Sequence, residues 1–135
     1  MKLNLGAGSD IRIGWENTDK EEDIFKMERR TESIEAILLN HVAMYIRPEE
    51  MEQLLIKWYR WLKPDGTIHI ETQDLNKVRD PETLFGTGKH AGHRWAWTPK
   101  ALIALMEKAG FKKIGMVAGI LHGKPERDFL ICGKK

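Results

Sequence analysis

The chain begins with the segment Met1-Lys2-Leu3-Asn4-Leu5-Gly6-Ala7-Gly8-Ser9-Asp10. Its short alternation of apolar residues is typical of a buried strand, and this strand leads directly into a Gly-x-Gly turn. Glycine has no Cβ, so Gly6 and Gly8 permit a tight turn and a close approach of a ligand to the backbone. At the carboxyl end of a first parallel strand, such a turn is typical of a nucleotide-binding crevice.

The spacing after this turn argues against NAD as the ligand. Residues 16–18 are predicted to form a short second strand that ends at Asp19, which follows Gly8 by 11 positions. That gap leaves no room for a helix of ordinary length. In the dinucleotide fold the acid that binds ribose lies about 20 residues after the turn, and the third glycine of the motif would fall at Ile11.

Length and composition predict one globular domain, residues 1–135, with 41% hydrophobic and 31% charged residues. The 22 basic residues nearly balance the 20 acidic ones, so the net charge of +2 gives no electrostatic argument for a nucleic-acid partner. An RNA substrate stays open. The single cysteine, Cys132, cannot form an internal disulfide. Without a visible signal peptide or membrane-spanning run, we expect a cytoplasmic protein with no membrane partner.

Alternating strands and helices predict an α/β fold. A helix is predicted to start at Pro48 and to stop at the turn Lys63-Pro64-Asp65-Gly66, and a second helix starts at Pro99 behind the N-cap Thr98. The predicted strands that follow the second one are residues 33–39, 67–72, 114–121 and 127–132. The last two are expected to pair as a hairpin, which gives a mostly parallel sheet with an antiparallel C-terminal edge.

Six short motifs occur in the order in which one known family has them. They are Leu3–Gly8, Gly14–Asp19, Asp23-Ile24, Leu62–Ile70, Trp97-Thr98-Pro99 with Ala109-Gly110-Phe111, and Arg127-Asp128-Phe129. Over almost its whole length the chain resembles the class I S-adenosylmethionine-dependent methyltransferases, particularly small ones encoded near glycan-synthesis genes. The resemblance implies a reduced, Rossmann-like methyltransferase fold and S-adenosylmethionine as the cofactor.

The resemblance also implies a set of cofactor-binding residues. They are Leu5, Gly6, Ala7, Gly8, Asp19, Asp23, Asn40 and His41. Asp19 matches the last residue of the family's second motif, an acid that binds the ribose. A carboxylate suits this role because it can accept hydrogen bonds from both vicinal hydroxyls. Asn40 and His41 end the central predicted strand, where open α/β sheets bind their ligands.

A hydroxyl or amine acceptor would need a general base, for which His41, Asp74 and His93 are equal candidates. The predicted substrate contacts are Tyr45, Gln73, Asp74, His93 and Trp95. Residues 86–95 are interpreted as a substrate lid, because they combine glycines with histidines, an arginine and a tryptophan. Two simpler interpretations stay open: His41 as a structural histidine, and Gln73 and Asp74 as turn caps. No metal site is predicted, since His90 and His93 have no further ligand at a recognised spacing.

The function predicted first is methyl transfer from S-adenosylmethionine to an unidentified acceptor, either a small molecule or a glycan. A second copy of the chain is a further predicted partner, because the domain is small and carries exposed aromatics. The alternative is a catalytically degenerate scaffold that serves as a binding or partner subunit. Three departures from the family motivate it: Met27-Glu28-Arg29 replaces Leu-Pro-Phe, the short gap from Asp19 to Asp23 leaves a reduced third strand, and residues 41–46 lack the acid and second histidine of His-Val-Leu-Glu-His-Leu.

Overall fold

A computed structural model describes residues 1–19 and 22–135, and of Lys89 the backbone alone. Its strands are β1 (Lys2–Leu5), β2 (Glu16–Asn17), β3 (Ile34–Asn40), β4 (Leu62–Gln73), β5 (Lys112–Ala118) and β6 (Asp128–Lys134). They form one sheet in the order β2-β1-β3-β4-β6-β5. The first four strands pair in parallel, whereas β6 runs antiparallel to both β4 and β5. The predicted α/β sheet with a C-terminal antiparallel hairpin is confirmed.

The two faces of the sheet are covered differently. One face carries the core, where Ile37, Ile68 and Ile131 are fully buried beneath the helices α1 (Pro48–Trp61) and α3 (Pro99–Ala109). On the other face Leu38 and Leu130 are buried by loop side chains around a small cavity of about 150 Å³, which Trp15 and Leu121 help to line. Helices thus cover one face of the sheet, and loop side chains cover the other.

Helix α1 starts as predicted but ends earlier. Pro48 occupies the first turn, and the Glu50 carboxylate accepts a hydrogen bond from the Arg47 N–H at 3.1 Å. The chain is already extended at Leu62, which pairs with Ile34 of β3. Pro64 provides a reason, because the residue before a proline is disfavoured in the helical region. The strand predicted over residues 67–72 therefore lies in the second half of the longer β4.

Helix α3 confirms its predicted bounds, since the Thr98 hydroxyl accepts from the Ala101 N–H and the helix ends before Gly110. A short helix, α2 (Pro81–Phe85), lies in a segment for which no helix was predicted. Its signal is the pair Asp80-Pro81: the Asp80 carboxylate caps the Thr83 N–H at 2.9 Å, and proline suits the first turn. Two 3-10 helices complete the elements, Ala43–Tyr45 and Gly88–His90.

The segment between β2 and β3 is where the sequence predicts a strand of the family to be reduced or absent. None of the described residues between Asn17 and Ile34 lies in a strand, and Lys20 and Glu21 of the Asp19-to-Asp23 gap fall outside the described residues. Asp23 forms a turn, with its carboxylate accepting from the Phe25 N–H and its carbonyl from the Lys26 and Met27 N–H groups. Among the described residues, no strand therefore lies between the edge strand β2 and β3 in the chain.

Within the described part of the chain, no helix combines the length and the apolar character that crossing a bilayer requires.

Candidate functional site

A large open cleft of about 1390 Å³ lies along the edge where the parallel strands end. The turn after β1, the residues after β3 and the end of β4 all border it, together with α2 and the loop between β5 and β6. This is the edge at which open α/β sheets bind ligands. The volume exceeds the range of about 300–1,000 Å³ that is usual for a single small-molecule pocket, so two small ligands can fit side by side.

The glycine turn forms one side of the cleft. Gly6 and Gly8 have φ angles of +63° and +54°, a backbone region that side-chain-bearing residues rarely adopt. A Cβ on Gly6 would lie 2.9 Å from Val42 Cγ2, whereas a Cβ on Gly8 would meet only open space. Ala7 and both glycines line the cleft, while Leu5 is fully buried in the core. Leu5 thus anchors the turn to the hydrophobic core and does not line the cleft.

Buried amides fix the loop that follows the turn. The Asn4 side chain, fully buried in β1, donates to the Asp10 carbonyl at 2.7 Å and to Asn17 Oδ1 at 3.0 Å. Asn17 in turn accepts from the Arg12 N–H and donates to the Arg12 and Trp15 carbonyls. These bonds satisfy backbone groups that a helix would otherwise pair internally. They hold residues 10–15 in place between β1 and β2.

Asp10 is a site residue that the sequence analysis missed. Its carboxylate lines the cleft and accepts from Asn40 Nδ2 and Arg12 Nε, each at 3.0 Å. Asn40 also lines the cleft, and its Oδ1 is buried without a hydrogen-bond partner among the described residues. The signal was present, because Asp10 follows Gly8 by only two positions at the end of the same turn.

The two acids that were predicted to bind the cofactor, Asp19 and Asp23, lie differently. Asp23 lines the cleft, although it is exposed and its carboxylate also caps a turn. Asp19 is exposed and is not among the residues that line the cleft. It directly follows Thr18, whose hydroxyl accepts from the Gly6 N–H at 3.1 Å and whose carbonyl accepts from the Ala7 N–H at 2.9 Å. Asp19 is thus held beside the glycine turn, and its ribose role stays a prediction.

A cluster of ionisable groups forms the other side of the cleft. His41, in the left-handed region with φ +58°, places Nε2 3.1 Å from Asp128 Oδ2. The His41 and His122 rings stack with centroids 4.4 Å apart. Asp128 also accepts from Arg127, at 2.7 Å to Oδ1 and 3.0 Å to Oδ2, and the buried Glu71 carboxylate accepts from the Leu121 and His122 N–H groups. Except for His41, these residues were missed by the sequence analysis, because they come together from three separate segments.

Burial and charge shift the pKa values in this cluster. Burial raises the pKa of the Glu71 carboxyl above its usual value, against the two backbone N–H groups that lower it. Burial also acts to raise the pKa of Asp128, but the contacts with His41 and Arg127 outweigh it, so that pKa lies below its usual value. The pKa of His122 is lowered, first by burial and then by the nearby charges of His41 and Arg127. The two carboxyls are therefore pushed in opposite directions within one cluster.

The predicted lid segment forms the outer wall of the cleft. His93 and Tyr45 line the cleft and pack edge to face, with ring centroids 5.1 Å apart, and His93 Nδ1 lies 3.0 Å from the Leu84 carbonyl. The N–H groups of Arg94 and Trp95 both bond the Met44 carbonyl. The Trp95 side chain is exposed and is not among the cleft-lining residues. The end of this segment is thus fastened to the 3-10 helix Ala43–Tyr45.

Gln73 ends β4 and Asp74 follows it, and the two residues have different roles. Gln73 lines the cleft. Asp74 is buried, and its carboxylate accepts from the Asn76 N–H at 2.9 Å while its carbonyl accepts from the Lys77 and Val78 N–H groups. It does not line the cleft, so the turn-capping interpretation accounts for Asp74. Of the three predicted bases, His41 and His93 therefore remain at the cleft.

Among the described residues, no group of three or more histidine, cysteine, aspartate or glutamate side chains is arranged to hold a metal ion.

Comparisons with known proteins agree with this architecture. Residues 12–70 match the family described as methyltransferase domain. No curated protein matches the sequence. A SAM-dependent methyltransferase from Archaeoglobus fulgidus superposes with a TM-score of 0.75 at 16% identity, covering 98% of this chain and 85% of that one. A second, from Methanosarcina mazei, gives a TM-score of 0.69 at 16% identity, with 98% and 91% covered.

Larger enzymes also share the fold. Phosphoethanolamine N-methyltransferase 2 of Haemonchus contortus, solved in complex with S-adenosyl-L-methionine, superposes with a TM-score of 0.72 at 12% identity. All of this chain but only 49% of that protein is covered, so the chain spans about half the length of this relative. These solved neighbours are 12–16% identical to the chain and show its fold, and the Haemonchus contortus structure is a cofactor complex. This chain has the fold of the class I S-adenosylmethionine-dependent methyltransferases, and residues 12–70 match a methyltransferase domain.

Proposed function

We propose that the protein transfers a methyl group from S-adenosylmethionine to a hydroxyl or amine of a small molecule or glycan. The observation that carries the proposal is the glycine turn at the carboxyl end of β1, which opens on a cleft large enough for a donor and an acceptor. A bound sulfonium donor supplies an already activated methyl group, so the protein chiefly has to align the acceptor and exclude water.

The residues on the glycine side fit this cofactor. Asp10 and Asp23 bring carboxylates to the cleft, and Asn40 offers a buried amide oxygen that lacks a described partner. Carboxylates favour a ligand that carries a sulfonium and an ammonium group, and they can accept hydrogen bonds from ribose hydroxyls. The open space beside the Gly8 Cα lets a ligand approach the backbone closely. We assign Gly6, Ala7, Gly8, Asp10, Asp23 and Asn40 to the cofactor side.

The other side of the cleft is assigned to the acceptor. Tyr45, Gln73 and His93 border it, and each offers a polar group that can orient a hydroxyl or an amine. Part of the segment 86–95 borders the same space and would shield the acceptor from water; its lining residues are Gly86, Thr87, His90, Ala91 and His93. A glycan acceptor rests on the sequence resemblance alone, whereas the open cleft suits small molecules and glycans equally.

The proposal is tested by titration calorimetry of the protein with S-adenosylmethionine. We expect saturable binding, and we expect Asp23→Ala to weaken it about tenfold through the loss of a carboxylate that lines the cofactor side of the cleft. Asp65→Ala is the matched control, because Asp65 is exposed in the turn within β4, away from the cleft. Absence of binding at millimolar cofactor would reject a methyltransferase.

One observation favours the second function, a binding scaffold without activity. Asp19 does not line the cleft, so the residue that the resemblance assigns to the ribose is not aimed at the proposed cofactor position. A scaffold would bind no cofactor, or would bind it without converting it. Formation of S-adenosylhomocysteine with any member of a panel of small hydroxyl and amine acceptors would exclude this function.

A further inference from the structure

The geometry points to a paired proton acceptor at the cleft: His41 takes the proton from the methyl acceptor, and Asp128 is the positioning residue that orients the His41 ring. This inference rests on the proposed function, and it adds a role for Asp128 that neither the sequence nor the comparisons assign. The pair joins His41, which directly follows β3, to Asp128 at the start of β6, and the two residues are 87 positions apart in the chain.

His41 is held in a strained position beside the cleft. Its φ of +58° lies in the left-handed region, which is unusual and strained for a residue with a side chain. The backbone that sets this angle is fixed, because the His41 N–H donates to the Glu71 carbonyl at 2.9 Å. The ring borders the cleft, with 15% of the side chain exposed. Such strain at a ligand-facing residue is typical of a functional position.

Asp128 contacts the buried edge of that ring. Its side chain is fully buried, and Oδ2 lies 3.1 Å from His41 Nε2, although off the direction of a linear hydrogen bond. Because Nε2 lies 3.1 Å from the negative carboxylate, the charge of Asp128 favours the neutral imidazole with its proton on Nε2, which leaves the Nδ1 lone pair for a ligand in the cleft. A carboxylate that fixes the tautomer of a general base in this manner is a recurrent catalytic arrangement.

The surroundings fix the Asp128 carboxylate as well. Arg127 donates to both of its oxygens, and a Cβ on Gly119 would lie 2.5 Å from both Asp128 Cβ and Glu71 Oε1. The loop that carries Gly119 therefore packs directly against the two acids. These contacts fix the orientation of the carboxylate, with Oδ2 beside the His41 ring.

In the proposed methyl transfer every bond, electron pair and proton is accounted for. A lone pair on the acceptor oxygen or nitrogen forms the bond to the methyl carbon as the carbon–sulfur bond breaks, and that electron pair stays on sulfur, which becomes a neutral thioether. The acceptor proton passes to His41 Nδ1, and the resulting imidazolium is stabilised by the Asp128 carboxylate until the proton is released to water. No oxidant or metal is required by this balance.

The first test needs neither cofactor nor acceptor. Protein labelled with ¹⁵N-histidine is studied by long-range ¹H–¹⁵N NMR at a pH where the rings are neutral, with His41→Gln used to assign the His41 signals. We expect the proton on Nε2. Asp128→Asn should shift the His41 tautomer toward Nδ1–H, because Arg127 holds the amide oxygen and leaves the amide N–H group facing Nε2. Asp65→Asn replaces an exposed carboxylate by an amide and is the matched control.

The second readout is the reaction of His41 with diethyl pyrocarbonate, mapped by mass spectrometry, with the exposed His90 as the internal reference. We expect His41 to react in the wild type and at least about fivefold more slowly in Asp128→Asn, whose Nδ1 no longer offers a lone pair. A wild-type proton on Nδ1, or a variant with unchanged tautomer and reactivity, would overturn the inference. If Asp128→Asn does not fold, the wild-type tautomer alone decides.

Calorimetry with S-adenosylmethionine separates the two proposals. Binding with an Nδ1–H tautomer would reject the role of Asp128 and keep the methyltransferase. An Nε2–H tautomer without cofactor binding would reject the methyltransferase and, with it, the proton transfer.

Discussion

The two sides of the cleft differ in how the chain builds them. The glycine side, Gly6, Gly8, Asp10 and Asn40, depends on one continuous turn and a neighbouring strand end. The histidine side, His41, Glu71, His122 and Asp128, gathers ionisable groups from β3, β4, β6 and the loop before β6. Three strand spacings, roughly 14 Å, separate β1 from β6 along the sheet. The first side depends on backbone shape, and the second on hydrogen bonds and close contacts between distant segments.

Gly6→Ala tests whether the backbone shape of the glycine side controls cofactor binding, and it has the largest expected effect. The new Cβ would meet Val42 Cγ2 at 2.9 Å at a φ of +63°, which costs roughly 1–2 kcal/mol in the backbone alone. We expect S-adenosylmethionine affinity to fall by about 100-fold as the turn shifts, measured by calorimetry. Gly14→Ala is the control, since Gly14 also has a positive φ but no atom near its Cβ. Equal losses in the two variants would show that strain, and not the shape of the turn, controls binding.

Gly119→Ala tests the histidine side in the same way. A Cβ there would lie 2.5 Å from Asp128 Cβ and Glu71 Oε1, so the two acids would have to separate. We expect the free energy of unfolding to fall by about 1–3 kcal/mol in urea titrations, with cofactor affinity changed less than twofold. Gly115→Ala, on the exposed β5 with open space at its Cβ, should leave the free energy of unfolding unchanged. A large loss of cofactor affinity in Gly119→Ala would mean that the two sides are not independent.

The smallest expected effect is a pH dependence that originates on the histidine side. The pKa of His122 is lowered in the folded protein, so the unfolded chain binds more protons below its usual value of 6.5. The His122 contribution to the free energy of unfolding therefore rises with pH across that window and is lost as the pH falls. The pKa of Glu71 is raised in the folded protein. Above pH 4.5 its contribution to the free energy of unfolding therefore falls as the pH rises, opposite to that of His122.

Urea titrations from pH 7.5 down to 5 should accordingly show a smaller acid destabilisation in His122→Gln than in the wild type. His69→Gln should reduce it too, since burial lowers the pKa of His69 on the loop-covered face, away from the cleft. A wild-type profile that His122→Gln leaves unchanged would assign the pH dependence to other groups.

Local signals explain what the sequence could predict. The glycine turn, the proline and threonine that start α3, and the paired C-terminal strands each depend on neighbouring residues, and the structure has all three. Helix α1 ended early because Pro64 favours extended backbone before it, and α2 was missed although Asp80 and Pro81 mark its start.

Contacts between distant residues explain what the sequence could not predict. Asp128 looked like part of a closing strand, and only the antiparallel pairing of β6 with β4 brings it to the carboxyl edge beside His41. Glu71 alternates with buried residues of β4, so nothing in its local pattern indicated a buried carboxyl that holds a loop. Asp74 is the converse case: its position after a strand suggested a base, but its carboxylate is used by the neighbouring turn.

The loop between β1 and β2 has a thermodynamic consequence. β2 contains only two residues, so it forms few backbone hydrogen bonds with β1. The hydrogen bond between the Asn4 and Asn17 side chains helps to hold the two strands together. So few bonds give this sheet edge a low free energy of local opening, and a ligand seated on the glycine turn must close it. Part of the ligand's intrinsic affinity is therefore spent on ordering this edge, and the amide protons of residues 16–18 should exchange more slowly once the ligand is bound.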